Sequence, residues 1–325
     1  MTNKMPVLID CDPGADDVFA LVWLLTNHIA QQVPMEIVWI TTVGGNVAAD
    51  KTYANALRMC QFMGATDVPV GKDHRQIVSQ DASHIHGNDG IGNLSEMLPP
   101  VQLPASENDS VDMIIAAIEK YGKELAILVT GPMTNIALAE ERKPGILSQC
   151  KKIIAMGGAI SIHGNITPVA EFNIFYDAAS AAKVFKSTDN IILLPLDTTT
   201  SMVFTEEDME HCFSQVNHST KQEFLRKLTT FTIGTNMMFR ETGYQHGFYV
   251  HDAHTVGFLL YPHLYTGSFQ EVQIETKGEF TTGETVVDHR NIARTKTNAF
   301  VAMAFDKPLF LEAITEDFKK HDFSI

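Results

Sequence analysis

The sequence lacks several features that mark whole classes of protein. No apolar run approaches the roughly 20 residues that cross a bilayer, so we expect no membrane association. Residues 1–5 lead directly into the first strand-like segment, so we expect no signal peptide. The four cysteines show no C-x-x-C spacing, so we expect reduced thiols, no cysteine-bound zinc and a cytoplasmic protein.

Basic residues are also scarce. The chain has 24 Lys and Arg against 39 Asp and Glu, a net charge of −15, and no basic run. Such a surface repels phosphate backbones, so we expect no nucleic-acid partner. A small ligand without phosphate is electrostatically compatible with so many carboxylates.

The pattern that is present indicates an α/β fold. Strand-like runs at 6–9, 36–42, 125–129, 152–155 and 191–194 alternate with helical patterns near 16–30, 49–63, 110–121, 134–142 and 177–186. This alternation predicts a mostly parallel central sheet flanked by helices. Helical patterns at 205–214 and 220–239 predict a lid region, and a β-rich part at 269–288 contains two expected hairpin turns, at 276–279 and 281–284. No linker or repeat interrupts the chain, so we expect residues 1–325 to form a single domain.

One segment concentrates acidic side chains. Asp10, Asp12, Asp16 and Asp17 lie within eight positions, between an apolar strand-like run and a helix-like one. Carboxylates this close resist ionising together unless a cation compensates them, and hard divalent cations prefer oxygen ligands. The motif therefore predicts a cation site at the carboxyl end of a strand, where ligands bind in open α/β sheets.

Two other interpretations of this segment are open. Asp16 or Asp17 alone could be a helix N-cap. The Asp-x-Asp pair could be the nucleophile motif of haloacid-dehalogenase-type phosphohydrolases, with Asp10 as nucleophile, magnesium and an acyl-phosphate. The Pro-Gly-x-Asp-Asp continuation argues against that assignment.

Residues 10–17 (DCDPGADD) resemble the signature of the nucleoside hydrolases, the inosine-uridine-preferring N-ribohydrolase family. The resemblance continues, in family order over about 250 residues, through 43–46 (VGGN), 86–87 (HG), 130–135 (TGPMTN), 156–158 (MGG), 165–173 (NITPVAEFN) and 250–252 (VHD). It implies calcium-dependent hydrolysis of the N-glycosidic bond of ribonucleosides to free base and ribose, with inosine and uridine preferred or a broad specificity.

The resemblance also implies roles for individual residues. The implied calcium ligands are Asp12, Asp17, Asp252 and the carbonyl of Thr130. Asp12 is the implied base for the attacking water, and Asp10 is implied to support the ligands from behind. The implied substrate-binding residues are Asp16, Asn46, His86, Met156, Asn165, Glu171, Asn173 and His251. Amide and carboxylate side chains suit a diol-rich ligand, because ribose hydroxyls both donate and accept.

The leaving base needs its own partner. His251, next to Asp252, is the residue that we expect to activate the base as it departs. Tyr244 and His246 in a glycine-rich loop could also reach the base, whereas we expect His84 at the surface and His254 in the core. Trp23 and Trp39 lie in core-like runs, so a tryptophan sandwich around a purine is not expected.

The rival to an enzyme is a non-catalytic, calcium-dependent nucleoside-binding protein that has kept the fold. The complete carboxylate set argues against it, because a protein that no longer catalysed the reaction would be expected to lose Asp12 first. The predicted partner is a small nucleoside, and the resemblance implies a homodimer or homotetramer.

Overall fold

The computed structural model describes residues 4–31, 33–73, 75, 81–101, 108–213, 219–290 and 296–320. The strands are β1 (Met5–Cys11), β2 (Met35–Thr42), β3 (Val70–Lys72), β4 (Asn108–Asp109), β5 (Ala126–Val129), β6 (Lys152–Met156), β7 (Ile191–Leu194), β8 (Tyr265–Gln270), β9 (Val272–Ile274), β10 (Thr285–Val287) and β11 (Ala299–Phe305). The helices are α1 (Ala15–Ala30), α2 (Ala49–Met63), α3 (Ser83–His86), α4 (Ser110–Tyr121), α5 (Thr134–Arg142), α6 (Phe172–Tyr176), α7 (Ala178–Ser187), α8 (Leu196–Thr199), α9 (Glu206–Phe213), α10 (Thr220–Phe239), α11 (Ala253–Leu260) and α12 (Lys307–Lys319).

Nine strands form one sheet in the order β4-β3-β2-β1-β5-β6-β7-β11-β8. Every pair in it is parallel except β8 with β11. The sheet extends from β1 in two directions, toward β2 on one side and toward β5 on the other. This reversal of strand order opens a crevice at the carboxyl ends of β1 and β5, which is the usual ligand site of open α/β sheets.

Apolar side chains alternate across β1 and bury both faces of the sheet. Val7 and Ile9 pack into a core with α1, α2 and α10 to α12. Leu8 points the other way, into a core with α4, α5 and α7. The expected mostly parallel sheet between helices is confirmed.

The β-rich part differs from its prediction. β8 joins the edge of the main sheet, whereas β9 and β10 form a separate antiparallel pair. Both predicted turns, 276–279 and 281–284, lie in the single connection between β9 and β10. The structure therefore has one hairpin where two were predicted. The segment between Gly278 and Gly283 is too short to form a strand of its own.

The helix predictions agree closely with the structure. α9 ends at Phe213, and residue 214 of its predicted range lies outside the described residues. No helix in the described ranges is both long and apolar enough to cross a bilayer.

Candidate active site

Three elements bring carboxylates together at the crevice. Asp12 follows β1 directly, Asp17 lies in the first turn of α1, and Asp252 stands at the N-terminus of α11. Thr130 follows β5, the neighbour of β1. All four residues are buried, so the sheet edge and two helix starts converge on one point.

Two glycines make room for Asp12. A Cβ at Gly45 would stand 2.1 Å from Oδ2 of Asp12, and a Cβ at Gly131 would stand 2.6 Å from Oδ1. The backbone N–H of Asn46 donates to Oδ2 at 2.8 Å. Oδ1 is buried and accepts no hydrogen bond from the described residues. This oxygen is therefore the one available for chemistry or for a cation.

Asp17 is held on both oxygens. Oδ2 accepts from the N–H of Gly14 at 2.9 Å and from the side-chain amide of Asn46 at 3.0 Å. Oδ1 accepts from the hydroxyl of Thr130 at 2.7 Å. Asn46 thus bonds both carboxylates, Asp12 and Asp17, and fixes their relative position.

The carboxylates lie so close together that they cannot all be ionised unless a positive charge offsets their repulsion. Oxygens of Asp16, Asp17 and Asp252 lie within 4.8 Å of one another. Burial raises the pKa of Asp16 to about 6, and burial together with Asp16 raises that of Asp17 to about 6. Burial and neighbouring carboxylates raise the pKa of Asp12 and of Asp252 well above the usual value.

These features fit a hard cation. The donor set of the cluster is all oxygen. Asp12, whose Oδ1 has no described donor, interacts electrostatically with Asp16 and Asp17 of this cluster. A divalent ion would keep these carboxylates ionised at neutral pH.

Asp10 lies behind this cluster. It belongs to β1, which extends one residue further at its amino end and two further at its carboxyl end than predicted, because it pairs with β2 over its whole length and with β5 as far as Asp10. Its Oδ1 accepts from the hydroxyl of Thr41 at 2.7 Å and from the amide of Asn135 at 2.8 Å. Arg75 donates to Oδ1 of Asn135 at 2.7 Å, which orients the amide toward Asp10. Asp10 does not line the cleft, so the geometry does not favour a phosphohydrolase nucleophile there.

A second group of polar residues forms one wall of the cleft. Glu171 caps α6: its carboxylate accepts from the N–H groups of Asn173 at 2.8 Å, Gly158 at 2.9 Å and Ile174 at 3.1 Å. Asn173 donates to the carbonyl of Thr130 at 2.7 Å. Asn165 is exposed and accepts from the N–H of Phe172 at 2.9 Å, so its amide N–H groups remain available to a ligand.

Two partly buried histidines also line the cleft. The N–H of Ala15 donates to Nδ1 of His86 at 3.0 Å, so a neutral His86 carries its proton on Nε2. Nδ1 of His251 lies 2.7 Å from the hydroxyl of Thr199, which leaves Nε2 for a ligand. Burial lowers the pKa of each imidazole to about 4.

The cleft is open to solvent. Ten residues singled out from the sequence meet at it: Asp16, Asn46, His86, Thr130, Met156, Asn165, Glu171, Asn173, His251 and Asp252. Asp12 and Asp17 lie buried beneath them.

The other lining residues were not singled out as ligand contacts. They are Ala82, His84, Ile85, Ile166, Phe172, Thr232, Asn236, Glu241 and Tyr249. Ile166 and Phe172 lie within the 165–173 motif, whereas the others lie outside every motif. His84 is exposed, as expected, and stands at the mouth. The described cleft lining does not include Tyr244, which is 85% exposed, or His246. The signal that could have found Thr232 and Asn236 is a polar pair four residues apart on one face of a long helix.

Three remaining expectations concern the core. His254 is buried and stacks on Phe310, with ring centroids 4.6 Å apart, as expected of a packing residue. Trp23 is also buried, and its indole N–H donates to Asp317. The four cysteines are buried and free.

Comparisons with known proteins agree with this geometry. The family model described as inosine-uridine preferring nucleoside hydrolase matches residues 7–312. The pyrimidine-specific ribonucleoside hydrolase RihA of Enterobacter sp. (strain 638) is 31% identical, over 96% of this chain and 97% of that protein. Its counterpart of the same name in Escherichia fergusonii is 32% identical, over 97% and 98%.

A solved structure is similar as well. The purine-preferring ribonucleoside hydrolase from Gardnerella vaginalis superposes with a TM-score of 0.86 at 29% identity, over 97% of this chain and 98% of that one. The chain therefore belongs to the inosine-uridine preferring nucleoside hydrolase family and is a hydrolase of N-glycosyl bonds in ribonucleosides.

Proposed function

We propose that this protein is a calcium-dependent ribonucleoside N-ribohydrolase that converts a nucleoside and water to free base and ribose. The observation that carries the proposal is the convergence of buried carboxylates at the floor of a cleft whose wall is lined with amides. Such a cleft offers acceptors and dual-function amides to ribose hydroxyls, and compensating negative charge to a cationic transition state.

Asp12, Asp17, Asp252 and the carbonyl of Thr130 would hold the calcium ion. Calcium accepts six to eight oxygen ligands in flexible geometry, which suits carboxylates presented from three separate elements. When bound, the ion supplies Lewis acidity that lowers the pKa of a coordinated water and fixes its orientation.

The protein's own residues then perform the chemistry. Asp12 accepts the proton of the attacking water through Oδ1, the oxygen that no described donor occupies. Asp16 and Asn46 hold the ribose near the floor, whereas Asn165, Glu171 and Asn173 hold its remaining hydroxyls. As the C1′–N bond breaks, positive charge builds on the ribose ring, and the surrounding carboxylates stabilise it.

His251 assists the departing base. With the Thr199 hydroxyl donating to Nδ1, the neutral imidazole carries its proton on Nε2, which then donates a hydrogen bond or a proton to the base as the C1′–N bond breaks. His86 also presents Nε2–H to the cleft, where it would orient the base. Met156 is buried and lies in the cleft wall, where it packs against the sugar.

Uridine is the substrate that the comparisons support best. The family description includes inosine and uridine, and the two similar bacterial hydrolases are named pyrimidine-specific. We propose that uridine is cleaved and that inosine is the purine to test first. We also propose a homodimer or homotetramer, which light scattering after gel filtration would check.

The decisive experiment measures free ribose released from uridine, inosine, cytidine and adenosine. The assay is run with calcium and after chelation, using wild type, Asp12→Asn and the exposed control Asp189→Asn. Ribose release that chelation and Asp12→Asn abolish, but Asp189→Asn does not, supports the proposal. Binding of a nucleoside without ribose release from any of the four would instead identify a non-catalytic binder.

A further inference from the structure

Thr232 and Asn236 bring a pair of polar side chains from α10 to the cleft. Both line the cleft and are almost fully buried, with 4% and 6% of their surface exposed. They are four residues apart, so they lie on the same face of the helix. Neither belongs to the carboxylate cluster or to the amide wall that faces the ribose. What they offer to a ligand depends on which of their polar atoms the helix already uses.

The packing of α10 places this pair at the end of the cleft that receives the base. α10 packs against α3, the helix that carries His86. The rings of Phe239 and His84 join the two helices, with centroids 5.0 Å apart. Asn236 precedes Phe239 by three residues and therefore lies on the same side of α10. Because His86 faces the base in the proposed mode of binding, Asn236 faces the base as well.

Hydrogen bonds within α10 determine which atoms of the pair remain available. The hydroxyl of Thr232 donates to the carbonyl of Leu228 at 2.8 Å, so only its oxygen lone pairs are left for a ligand. The side-chain amide of Asn236 donates to the carbonyl of Thr232 at 3.0 Å. A carbonyl only accepts, so the amide nitrogen must face it and the amide oxygen points elsewhere. Oδ1 of Asn236 accepts no hydrogen bond from the described residues and is not sealed from solvent, so it opens on the cleft.

The base end of the cleft therefore combines acceptors and donors. The oxygens of Thr232 and Asn236 accept, whereas the Nε2–H groups of His86 and His251 donate. A base that satisfies both kinds of group carries a carbonyl oxygen next to a ring N–H. Uracil has this arrangement, since its N3–H lies between two carbonyls. Cytosine instead has a lone pair at N3, which would meet another acceptor.

We propose that Oδ1 of Asn236 accepts the N3–H of the base and that this contact selects uridine over cytidine. Uridine gains a hydrogen bond there, whereas cytidine places its N3 lone pair against the amide oxygen. A contact that repels the wrong ligand and also attracts the right one discriminates more strongly than attraction alone. The inference rests on the proposed function, since it uses the position of the base in that site.

The test compares uridine with cytidine, which share the ribose and differ little in size. Values of kcat/KM are measured with calcium at neutral pH for wild type, Asn236→Leu and Thr235→Val. Leucine has the branched shape of asparagine but no polar atom. Thr235 donates to the same carbonyl of Thr232 at 3.0 Å but does not belong to the described cleft lining. Thr235→Val therefore removes a comparable contact of the helix without altering the cleft.

We expect wild type to prefer uridine, and Asn236→Leu to lower the ratio of kcat/KM for uridine over cytidine roughly tenfold, the effect of losing one hydrogen bond to the base. Uridine should be cleaved more slowly by the variant, and cytidine at least as fast as by wild type. Thr235→Val should leave the ratio within about twofold of wild type. If Asn236→Leu does not fold, Asn236→Ala, which removes the amide without adding bulk, takes its place with the same expectation.

A uridine-to-cytidine ratio that is the same in wild type and Asn236→Leu would overturn the inference. Equal losses on the two substrates give that result, and they would show that Asn236 bonds a ribose hydroxyl or only supports the helix. Equal changes of the ratio in Asn236→Leu and Thr235→Val would also overturn it, because they would show a general effect of α10. If wild type cleaves neither nucleoside, the same ratio is measured as Kd by calorimetry. Absence of nucleoside binding by wild type refutes the proposed function, and it is seen before any variant is made.

Discussion

The side-chain amide of Asn46 donates to Oδ2 of Asp17 at 3.0 Å, while its backbone N–H donates to Asp12 at 2.8 Å. One residue from the β2–α2 loop therefore fixes two carboxylates that come from β1 and α1. Without this link, the two carboxylates would separate under their mutual repulsion.

Replacing Asn46 should weaken metal binding. In Asn46→Ala, Asp17 loses an amide donor, and we expect calcium affinity to fall roughly 10- to 100-fold, as for other residues that support metal ligands. Calorimetric titration of calcium measures this directly. Asn88→Ala, an exposed asparagine, is the control and should bind calcium as wild type does. Equal affinities in wild type and Asn46→Ala would contradict the role given to Asn46.

A pair of glycine variants tests whether the space around Asp12 is required. In Gly131→Ala the new methyl group would lie 2.6 Å from Oδ1 of Asp12, so the carboxylate must move. We expect calcium affinity to drop at least tenfold. Gly234→Ala, in the middle of α10, meets nothing within 4 Å and should raise the free energy of unfolding by up to about 1 kcal/mol.

Calorimetry and chemical denaturation separate the two glycine effects. A Gly131→Ala protein that binds calcium normally would show that the carboxylate has room to adjust. A Gly234→Ala protein that is less stable than wild type would contradict the expectation that the new methyl group meets nothing and only favours the helix.

Much of the fold could be predicted from the sequence, because its longer helices have strong apolar periodicity. α1, α2, α4, α5 and α10 lie within a residue of their predicted bounds. β3 and β4 were missed, since strands of three and two residues exist only through their neighbours. β11 and α12 follow the last sequence motif, at 250–252, and contain no motif of their own.

The residues of the candidate site also divide into those that the sequence could predict and those that it could not. Its carboxylates and amides lie in compact motifs, and the sequence shows them. Thr199, which orients His251, and Glu241, which faces the cleft mouth, lie in segments without such a motif. Only the folded chain brings them to the site, so sequence spacing could not reveal them.

The stabilising effect of calcium should grow as pH rises, over the range in which the metal-free protein loses stability. In the folded protein without metal, Asp16 and Asp17 have pKa values raised to about 6 from 3.8. The folded state therefore binds protons more tightly than the unfolded chain, and these two groups lower stability as pH rises from about 4 to about 6. Calcium binds the deprotonated carboxylates, so its stabilising effect should grow over the same range.

Thermal unfolding with calcium and with a chelator, at pH 4.5, 6.0 and 7.5, measures both effects. The increase in Tm that calcium produces should be smallest at pH 4.5 and largest at pH 7.5. In Asp16→Asn this dependence on pH should be shallower. A calcium effect that is constant across the three pH values would rule out the titration of these carboxylates as its cause.

The hydrogen bond between Thr199 and His251 offers a test of leaving-group activation. Thr199→Val keeps the shape of the buried side chain but removes the hydroxyl 2.7 Å from Nδ1. The imidazole then loses its fixed orientation, and we expect kcat for uridine to fall roughly tenfold, a part of the 100- to 10,000-fold that general acid catalysis contributes. Thr199→Ser, which restores a hydroxyl, should recover most of this loss.

A substrate whose leaving group needs no proton distinguishes a loss of His251 orientation from damage to the sugar site or the fold. The p-nitrophenolate of p-nitrophenyl riboside departs as a stable anion, so its hydrolysis does not depend on an acid at His251. Thr199→Val should cleave it nearly as fast as wild type does, with the calcium affinity unchanged. Equal losses on uridine and on the nitrophenyl riboside would show instead that Thr199 supports the sugar site or the fold, and that His251 has no special part in activating the base.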